Sequence, residues 1–525
     1  MCWLRCPGMP GAERTVTIVH LADPERIPVV IASAQTLERD EFVTPVDLMA
    51  RVSEAALAQV PALRDRINRL TVVDIMTATG PAPATELVSR LGLSDDLPRE
   101  VTTVGGNTPQ WLVSRAASQI ASGELAATLI VGAEAIRSSR ARRAQGLDKE
   151  LGDQSLPQDH VVGDDQPGSG PAEMAIALMA PIHVYPLIEV AHAHRLGRNT
   201  TAQRAAIGQM FSPFTEVAAK NPQAWFPEAR TADELATVTP DNRLVCDPYT
   251  KRMTAFLGSD QAAALVVCSL AEATRAGVAD RAVFVWAGAE ANDVRAITAR
   301  TDLGRSPAIG AARRALVAAA SAAAGRNVGM DDLARMDIYS CFPSAVQLAC
   351  EALGIAIDDP RGLTVTGGLP YFGGPGNNYT THGIATLTDL LREDGGDALG
   401  MATGLGWYVT KHALGIYGTT PPPHGFHRGD TSADQAAIDA SAAEVALEVA
   451  GPEVAQVVSA TVWRDNDGSA AGAPVIARLA DGRQMALAPA DETVLAAMGA
   501  RDVCTLVGTT VEVQAGSPRY RLGDG

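Results

Sequence analysis

The sequence predicts an α/β fold built from two duplicated halves, followed by a small β-barrel of the OB type. Short apolar segments alternate with helical segments over the first 418 residues, which is typical of βαβ units. A strand followed by a double glycine and a helix occurs twice, at Gly105-Gly106 and at Gly367-Gly368, which indicates an internal duplication. Beyond a proline-rich segment at 419–431, short strands alternate with turns, as in a small barrel.

Composition limits the classes of protein that this chain can belong to. It has 525 residues, of which 46% are hydrophobic and 20% charged, and this excludes a largely disordered chain. The net charge of −17 argues against a general nucleic-acid binder, because an acidic surface repels a phosphate backbone. No long apolar run predicts a membrane span, and seven scattered cysteines predict reduced thiols in the cytoplasm.

The first half is predicted over 28–136 and 256–305, after an N-terminal extension at 1–27. Residues 137–255 are richer in proline, glycine, histidine and charge, and they predict an inserted loop domain with short helices at 171–179 and 201–210. We expect a mainly parallel sheet, because strands and helices alternate. Apolar runs predict the strands and helical periodicity predicts the helices: strands at 29–34, 70–76, 101–104, 127–133 and 259–268, and helices at 44–60, 85–91 and 107–122.

The second half is predicted over 306–418, and 419–431 is a stiff linker to an additional C-terminal β domain at 432–525. The same patterns predict strands at 283–288, 336–339, 363–366 and 398–404, with helices at 307–324, 344–353 and 379–392. In the C-terminal domain they predict one helix at 432–449 and strands at 455–463, 475–479, 484–487, 504–507 and 510–514.

Four segments resemble the thiolase superfamily, nearest its sterol-carrier-protein thiolase branch and the group called thiolase-like protein type 1. The resemblance covers about 29–418 and implies a five-layered α-β-α-β-α sandwich made of two duplicated halves. The matching segments are Gly105–Glu124, Asn242–Met253 leading into Ser259–Ala264, Tyr339–Phe342 followed by Glu351–Gly354, and Gly367–Leu369 followed by Gly373–Pro375.

The resemblance also implies that the usual catalytic groups are missing. A thiolase forms an acyl-enzyme on a cysteine at a helix start, where the helix dipole and N–H groups lower the thiol pKa. That position matches Gly106, which has no side chain to acylate. The two family histidines match Tyr339 and Gly374, and the second family cysteine matches Ala402. Of these usual groups only Cys341 has the same residue type as the family.

Three side chains remain as catalytic candidates, each with a purely structural alternative. Cys341 is an acid/base or substitute nucleophile, or else a small buried thiol. Tyr339 donates a hydrogen bond to a thioester, or else packs at a strand end. His382 replaces the missing histidine, or else is an ordinary helix residue. The resemblance implies that the coenzyme A contacts are Gly106, Asn107, Met253, Gly258, Gly374, Pro375 and Gly404.

Two further patterns bear on ligands. The basic run Arg137–Arg143 stands out on an acidic protein, and it either binds coenzyme A phosphates or forms a solvated loop. His192 and His194 do not share a helix face and have no evident third ligand, so we expect no metal site. We also expect no tightly bound cofactor, with coenzyme A or acyl-CoA as the ligand.

Three functions follow as hypotheses. The first is an acyl-CoA-binding thiolase-fold protein of lipid metabolism without orthodox thiolase activity. The second is an acyltransferase or thioester hydrolase of altered mechanism that uses Cys341. The third is a non-enzymatic scaffold that binds a partner protein through 432–525. The family default is a homodimer formed at the edge of the core sheet, and a monomer is expected if the extra domain covers that edge.

Overall fold

The computed structural model describes residues 23–148 and 151–523. Its strands are β1 (Pro28–Glu38), β2 (Leu70–Val72), β3 (Arg99–Thr102), β4 (Ala127–Ala135), β5 (Val161–Val162), β6 (Leu244–Cys246), β7 (Tyr249–Thr250), β8 (Asp260–Ser269), β9 (Val283–Asn292), β10 (Leu333–Asp337), β11 (Leu399–Gly406), β12 (Lys411–Gly418), β13 (His427–Arg428), β14 (Glu453–Ala460), β15 (Trp463–Arg464), β16 (Ala470–Gly472), β17 (Val475–Arg478), β18 (Gln484–Pro489), β19 (Thr510–Val513) and β20 (Arg519–Leu522).

The α-helices are α1 (Pro45–Ala58), α2 (Pro83–Arg90), α3 (Thr108–Ser122), α4 (Ile136–Ala144), α5 (Pro171–Ala175), α6 (Pro181–Arg195), α7 (Thr200–Lys220), α8 (Ala232–Ala236), α9 (Leu270–Arg275), α10 (Pro307–Ala324), α11 (Pro343–Leu353), α12 (Tyr379–Asp394), α13 (Ser432–Ala440) and α14 (Glu492–Gly499). Short 3₁₀ turns occur at Pro24–Arg26, Pro61–Arg66, Lys251–Met253, Ala279–Arg281, Ile297–Ala299, Met330–Asp332, Gly376–Asn378 and Val503–Thr505. Among the described residues, none of the helices has the length and apolar character needed to cross a membrane.

The core sheet joins two half-sheets with corresponding strand orders. The first runs β3-β2-β4-β8-β1 and the second runs β10-β11-β12-β9. They meet where β1 pairs antiparallel with β9, at Val29–Phe284 and Val30–Val283. This correspondence is the one expected from an internal duplication.

The sheet is mixed, so the prediction of a mainly parallel sheet was wrong. β2 runs parallel to β3 and β4, but β8 and β12 run antiparallel to both of their neighbours. β12 follows β11 through a tight turn at 407–410, a connection that produces antiparallel strands. The sequence analysis missed β12, because Lys411 and His412 open it. The predicted strand at 363–366 is irregular backbone.

The helices complete the predicted five-layered sandwich. α1 packs on the first half-sheet and α10 on the second. Between the half-sheets lie α3 and α12, each in contact with strands of both. The core is aliphatic, with long apolar strands that are buried along their whole length, such as Ala127–Ala135. The N-termini of α3 and α12 both lie in this central layer.

The segment between β4 and β8 is more helical than predicted. It contains α6 with 15 residues and α7 with 21 residues. Both helices contain an internal proline, Pro186 in α6 and Pro213 in α7. Proline removes a backbone donor and usually ends a helix, which is why the sequence indicated only short helices there.

The free edge of the first half-sheet is covered by β5. Val101 and Thr102 of β3 pair in parallel with Val161 and Val162. We expected the C-terminal domain to be able to cover an edge of the core sheet, and the strand that pairs with β3 belongs instead to the segment between β4 and β8. An edge paired in this way presents fewer free backbone groups to a second chain.

The C-terminal domain is a closed five-stranded barrel, as predicted. The order around it is β14-β17-β18-β20-β19, with β18 and β20 parallel. Several of its elements differ from the prediction. Val503–Thr505 is a 3₁₀ turn and not a strand, and α13 ends at Ala440 instead of continuing to 449. The predicted strand at 455–463 is divided into β14 and β15, and β16, α14 and β20 were not predicted.

The barrel is fixed to the core through α6 and β6. Val190 and Ala193 of α6 belong to the apolar core of the barrel. Trp463 of the β15–β16 hairpin pairs with Cys246 of β6. A partly buried ion pair joins Arg464 to Asp247 at 2.5 Å. The segment at 419–431 is also tied down, since β13 pairs with β9.

Candidate functional site

The turn that leads into α3 is held by the start of α12. Gly105 has a φ of 153°, a conformation that L side chains rarely adopt. Its N–H donates to Oδ1 of Asn377 at 2.9 Å. Thr380 Oγ1 donates to the carbonyl oxygen of Gly106 at 2.9 Å, and Thr108 Oγ1 donates to that of Gly105 at 2.7 Å. The glycine pair and the Gly373–Asn378 loop, both marked by the sequence, therefore meet.

Tyr339 fills the space beside Gly106. A methyl group added to Gly106 would lie 2.2 Å from the phenolic oxygen of Tyr339 and 2.6 Å from the main-chain oxygen of Leu405. Tyr339 is 7% exposed, and its ring meets that of Tyr379 edge-on at 5.5 Å. Burial raises the pKa of Tyr339 well above its usual value, so the phenol stays protonated. The position that the resemblance assigns to the nucleophile has no room for a side chain.

Cys341 lies close to Tyr339 and Tyr185 in the same buried cluster. Burial raises the pKa of its thiol to about 12, and a hydrogen bond with Tyr185 opposes the shift only in part. The single phenolic proton of Tyr185 is donated to the carbonyl oxygen of Trp407 at 2.7 Å. At neutral pH Cys341 is therefore a thiol and not a thiolate, which is the nucleophilic form.

His382 is fully buried, and its contacts lie toward β1. Its Nδ1 is 2.9 Å from Oε1 of Gln35, and its ring meets Phe372 edge-on at 5.1 Å. Burial lowers the pKa of His382 to about 3, so the ring is neutral at physiological pH. Tyr339 and Cys341 thus share one cluster, while His382 has a separate set of partners.

The seven residues predicted to contact coenzyme A are all buried. Gly404 packs on Gly106 and Asn107, since a methyl group on it would lie 2.9 Å from Cα of Asn107. Gly258 packs on the ring of Phe256. Met253 and Pro375 are the other buried members.

Gly374 departs from the expectation that its N–H faces a ligand. This N–H donates to the carbonyl oxygen of Phe256 at 2.8 Å and is already satisfied. Its Cα side is less crowded, because an added methyl group would first meet that carbonyl oxygen at 3.1 Å and Leu257 at 3.4 Å. The N–H of Gly374 is therefore not free for a ligand, and its neighbours are close, although less close than those of Gly106.

A polar cluster around Lys411, which the sequence did not predict, lies on the other side of the Gly105–Gly106 turn. Lys411 is 2% exposed, and its Nζ donates to the carbonyl oxygens of Val104 at 2.6 Å and Asp164 at 3.2 Å. Burial lowers its pKa. Asn377 bridges this turn to Asp74, to which its Nδ2 donates at 2.9 Å. A lysine inside an apolar run, in a chain with only four lysines, was the signal available in the sequence.

A cavity of about 380 Å³ lies beside this cluster. Its wall includes the Asp74 carboxylate and the indole of Trp407, with Val104 and Asp164, whose carbonyl oxygens bind Lys411. Trp407 has a φ of 56°, which is unusual for a large side chain, and its ring covers Gly168. The tight turn between β11 and β12 thus places an aromatic ring in the cavity wall.

The predicted basic run lies on α4 and borders a groove of about 800 Å³. Arg137 is engaged with the core, because its Nε is 3.0 Å from the buried carboxylate of Asp260. Arg140, Arg142 and Arg143 line the groove. We expected these arginines either to bind coenzyme A phosphates or to lie in a solvated loop. The loop alternative was wrong, because the run is helical.

Glu134 lies between this groove and the Gly373–Asn378 loop. Its carboxylate accepts hydrogen bonds from the N–H groups of Met76 and Thr77, at 2.7 and 2.9 Å, and both residues line the groove. A methyl group on Gly376 would lie 2.2 Å from Glu134 Oε1. Burial raises the pKa of Glu134 to about 7. This carboxylate thus couples the groove wall to the loop.

His192 and His194 have separate partners. Nδ1 of His192 lies 3.4 Å from the carbonyl oxygen of Gly304, and Nδ1 of His194 lies 3.4 Å from that of Cys504. Among the residues that the structure describes, no group of three or more histidine, cysteine or carboxylate side chains is arranged to hold a metal ion.

Comparison with solved structures places this architecture among thiolase-like proteins. A monomeric SCP2-thiolase-like protein type 1 from Mycobacterium smegmatis is 28% identical, with a TM-score of 0.79 over 95% of this chain and 99% of that one. An Ltp2–ChsH2(DUF35) aldolase is 17% identical, with a TM-score of 0.56 over 75% of this chain and 98% of that one, and it shows the fold alone. No protein-family model and no curated protein matches the sequence.

Proposed function

We propose that this chain, whose fold is similar to that of SCP2-thiolase-like proteins and which has an additional C-terminal domain, binds acyl-CoA thioesters and carries out no orthodox thiolase reaction. The fold supports the first part of the proposal. The contents of the buried site support the second. Fold alone does not establish chemistry, so the second part rests on the residues.

The observation that carries the proposal is the contact between Tyr339 and Gly106. An acyl-enzyme needs a nucleophilic side chain at the start of α3, and here the phenol of Tyr339 and the main-chain oxygen of Leu405 occupy that space. Substituting cysteine for Gly106 would not restore the site, because Leu405 approaches with backbone. The reacting position is closed by the path of the chain as well as by one side chain.

The neighbouring nucleophiles do not replace the cysteine. Cys341 remains protonated because its pKa is about 12. The hydroxyl of Thr108 donates to the carbonyl oxygen of Gly105 at 2.7 Å, which is a helix-start role. Thioester binding without acyl transfer is therefore the function that these groups support best.

We place the thioester end of the ligand next to Gly374, where neighbouring groups would have to shift to admit it. The nearest obstacles to a group added there are the Phe256 carbonyl oxygen and the flexible Leu257 side chain. Leu257 is 38% exposed and lines the groove beside α4. A ligand arm that displaces Leu257 would therefore reach the Gly373–Asn378 loop from the surface.

A second candidate function is acyl transfer or thioester hydrolysis by an altered mechanism. It is favoured by the proximity of Tyr339, Cys341 and Tyr185, which are three protonated groups in one buried cluster. In this version Cys341 acts as a proton donor. Release of free coenzyme A that disappears in Cys341→Ala would support it.

Titration calorimetry with coenzyme A and acetoacetyl-CoA, followed by a free-thiol assay on the same sample, tests both candidates. Binding without thiol release is the expected result. Release that persists at a catalytic rate would contradict the first candidate. Absence of binding by either ligand would refute both and would favour a scaffold that binds a partner protein through 432–525.

We also infer a monomeric protein of the cytoplasm. The similar type 1 protein is described as monomeric, and β5 pairs with β3 at one edge of the core sheet, which leaves fewer free backbone groups there for a second chain. The five described cysteines are buried free thiols, which supports a reducing compartment.

A further inference from the structure

The groove beside α4 combines positive charge with exposed apolar side chains. Arg140, Arg142 and Arg143 line it, with Asp148 as the acidic member of its wall. Exposed apolar groups also line it: Met76 at 56%, Leu147 at 46% and Leu257 at 38%. Large apolar side chains exposed together in a concave surface are typical of a binding site.

The charge of the groove is opposite to that of the whole protein. The chain carries a net charge of −17, whereas the described residues of this wall include three arginines and one aspartate, which leaves it positive. Arginine is well suited to phosphate, because its planar guanidinium donates two parallel hydrogen bonds to two oxygens. Arginines next to exposed apolar side chains favour a ligand that has both an anionic group and a hydrocarbon arm.

α4 holds these arginines on a rigid support. Arg137 pairs with the buried carboxylate of Asp260, and Ser138 donates to the same carboxylate at 2.6 Å from Oγ. Arg142 is itself held through a hydrogen bond to the carbonyl oxygen of Asp148 at 3.2 Å. Arg140 and Arg143 are exposed in the groove wall. The helix therefore presents guanidinium groups from a fixed position.

The groove adjoins the Gly373–Asn378 loop at two places. Leu257 lines the groove and approaches Gly374, and Glu134 connects the groove residues Met76 and Thr77 to Gly376. A ligand with its anionic end on α4 and its arm over Leu257 would thus have the far end at the buried site.

We propose that this groove binds the phosphate-bearing end of the thioester ligand, with Arg140 and Arg143 as phosphate contacts and with Met76 and Leu257 against the pantetheine arm. The proposal rests on the thioester-binding function above and adds the site and the contacts. Two ligands carry a phosphate ester joined to pantetheine and would fit this groove. One is free coenzyme A, and the other is the 4′-phosphopantetheine arm of a carrier protein.

The test compares Arg140→Ser/Arg143→Ser with a matched control, Arg314→Ser/Arg326→Ser. The control removes two exposed arginines that pair with Asp434 and Asp332 away from the groove. Calorimetry at low salt measures the affinity of each protein for coenzyme A, 3′-dephospho-CoA and 4′-phosphopantetheine. All four substitutions are on the surface, so both variants should fold.

We expect the groove variant to bind coenzyme A at least tenfold more weakly than wild type, with a smaller dependence on salt, and the control to bind like wild type. Equal affinity for 4′-phosphopantetheine and coenzyme A would identify the arm phosphate as the contact, as in a carrier protein. Tighter binding of coenzyme A than of 3′-dephospho-CoA would identify the free nucleotide. Unchanged binding by the groove variant would overturn the inference alone, whereas no binding by wild type would overturn the proposed function.

Discussion

Adding one methyl group to Gly106 tests whether the site is closed as described. In Gly106→Ala the new carbon would lie 2.2 Å from the Tyr339 oxygen, 2.7 Å from its Cζ and 2.6 Å from the Leu405 oxygen. Carbon atoms in proteins do not approach so closely, so Tyr339 and the backbone must move. Overpacking of a buried site costs typically about 1–3 kcal/mol, and two simultaneous conflicts put this variant near about 3 kcal/mol.

Gly374→Ala is the matched control for this substitution. Both glycines lie in the candidate site and neither has a positive φ. At Gly374 the added carbon meets its first neighbour at 3.1 Å, so a shift of a few tenths of an ångström relieves the contact. We expect a change of less than about 1 kcal/mol there, partly offset by the reduced entropy of the unfolded chain.

Equilibrium unfolding in urea measures both changes, and Tyr339→Phe locates the cause. Removing the phenolic oxygen eliminates the 2.2 Å contact but leaves the contacts with Cζ of residue 339 at 2.7 Å and with the Leu405 oxygen at 2.6 Å. Gly106→Ala should therefore cost about 1 kcal/mol less in the Tyr339→Phe background than in the wild type. Equal stability of Gly106→Ala and wild type would show that Tyr339 does not occupy this space, and the argument against an acyl-enzyme would lose its basis.

Three further predictions concern titration and assembly. Native Cys341 should resist iodoacetamide at pH 8 and react only after denaturation, because its pKa is about 12; mass spectrometry that finds rapid native labelling would contradict this. The free energy of unfolding should fall by at most about 3 kcal/mol as the pH rises from about 4.5 to 7. The reason is that folding raises the pKa of Glu134 from 4.5 to about 7, so the folded state favours the protonated form. Urea titrations at several pH values should show a smaller fall in Glu134→Gln, and parallel curves for the two proteins would refute the assignment. Light scattering should give the monomer mass of 54.7 kDa, and a stable dimer would show that β5 leaves another surface free for association.

Local sequence patterns predicted the elements whose structure depends mainly on neighbouring residues in the chain. Long apolar runs gave β4 and β8, because strands buried on both faces have little polar content. The double glycines marked two turns, since Gly105, Gly367 and Gly368 have positive φ values that other residues rarely adopt. The predictions failed where tertiary contacts override local preference, as in α6 and α7 with their internal prolines and in β12, which begins with a lysine.

The sequence by itself determined the fold class and the duplicated halves, and it identified Gly106 and Tyr339 as unusual at their positions. Only the tertiary structure decided that these two residues are in contact, that Lys411 lies under the same turn, and that β5 covers the sheet edge. The physical reason is that periodicity reports burial of each segment, whereas the contents of a site depend on which distant segments meet. Gly106 and Tyr339 are far apart in the chain, and only the packing of α3 between the two half-sheets brings them together.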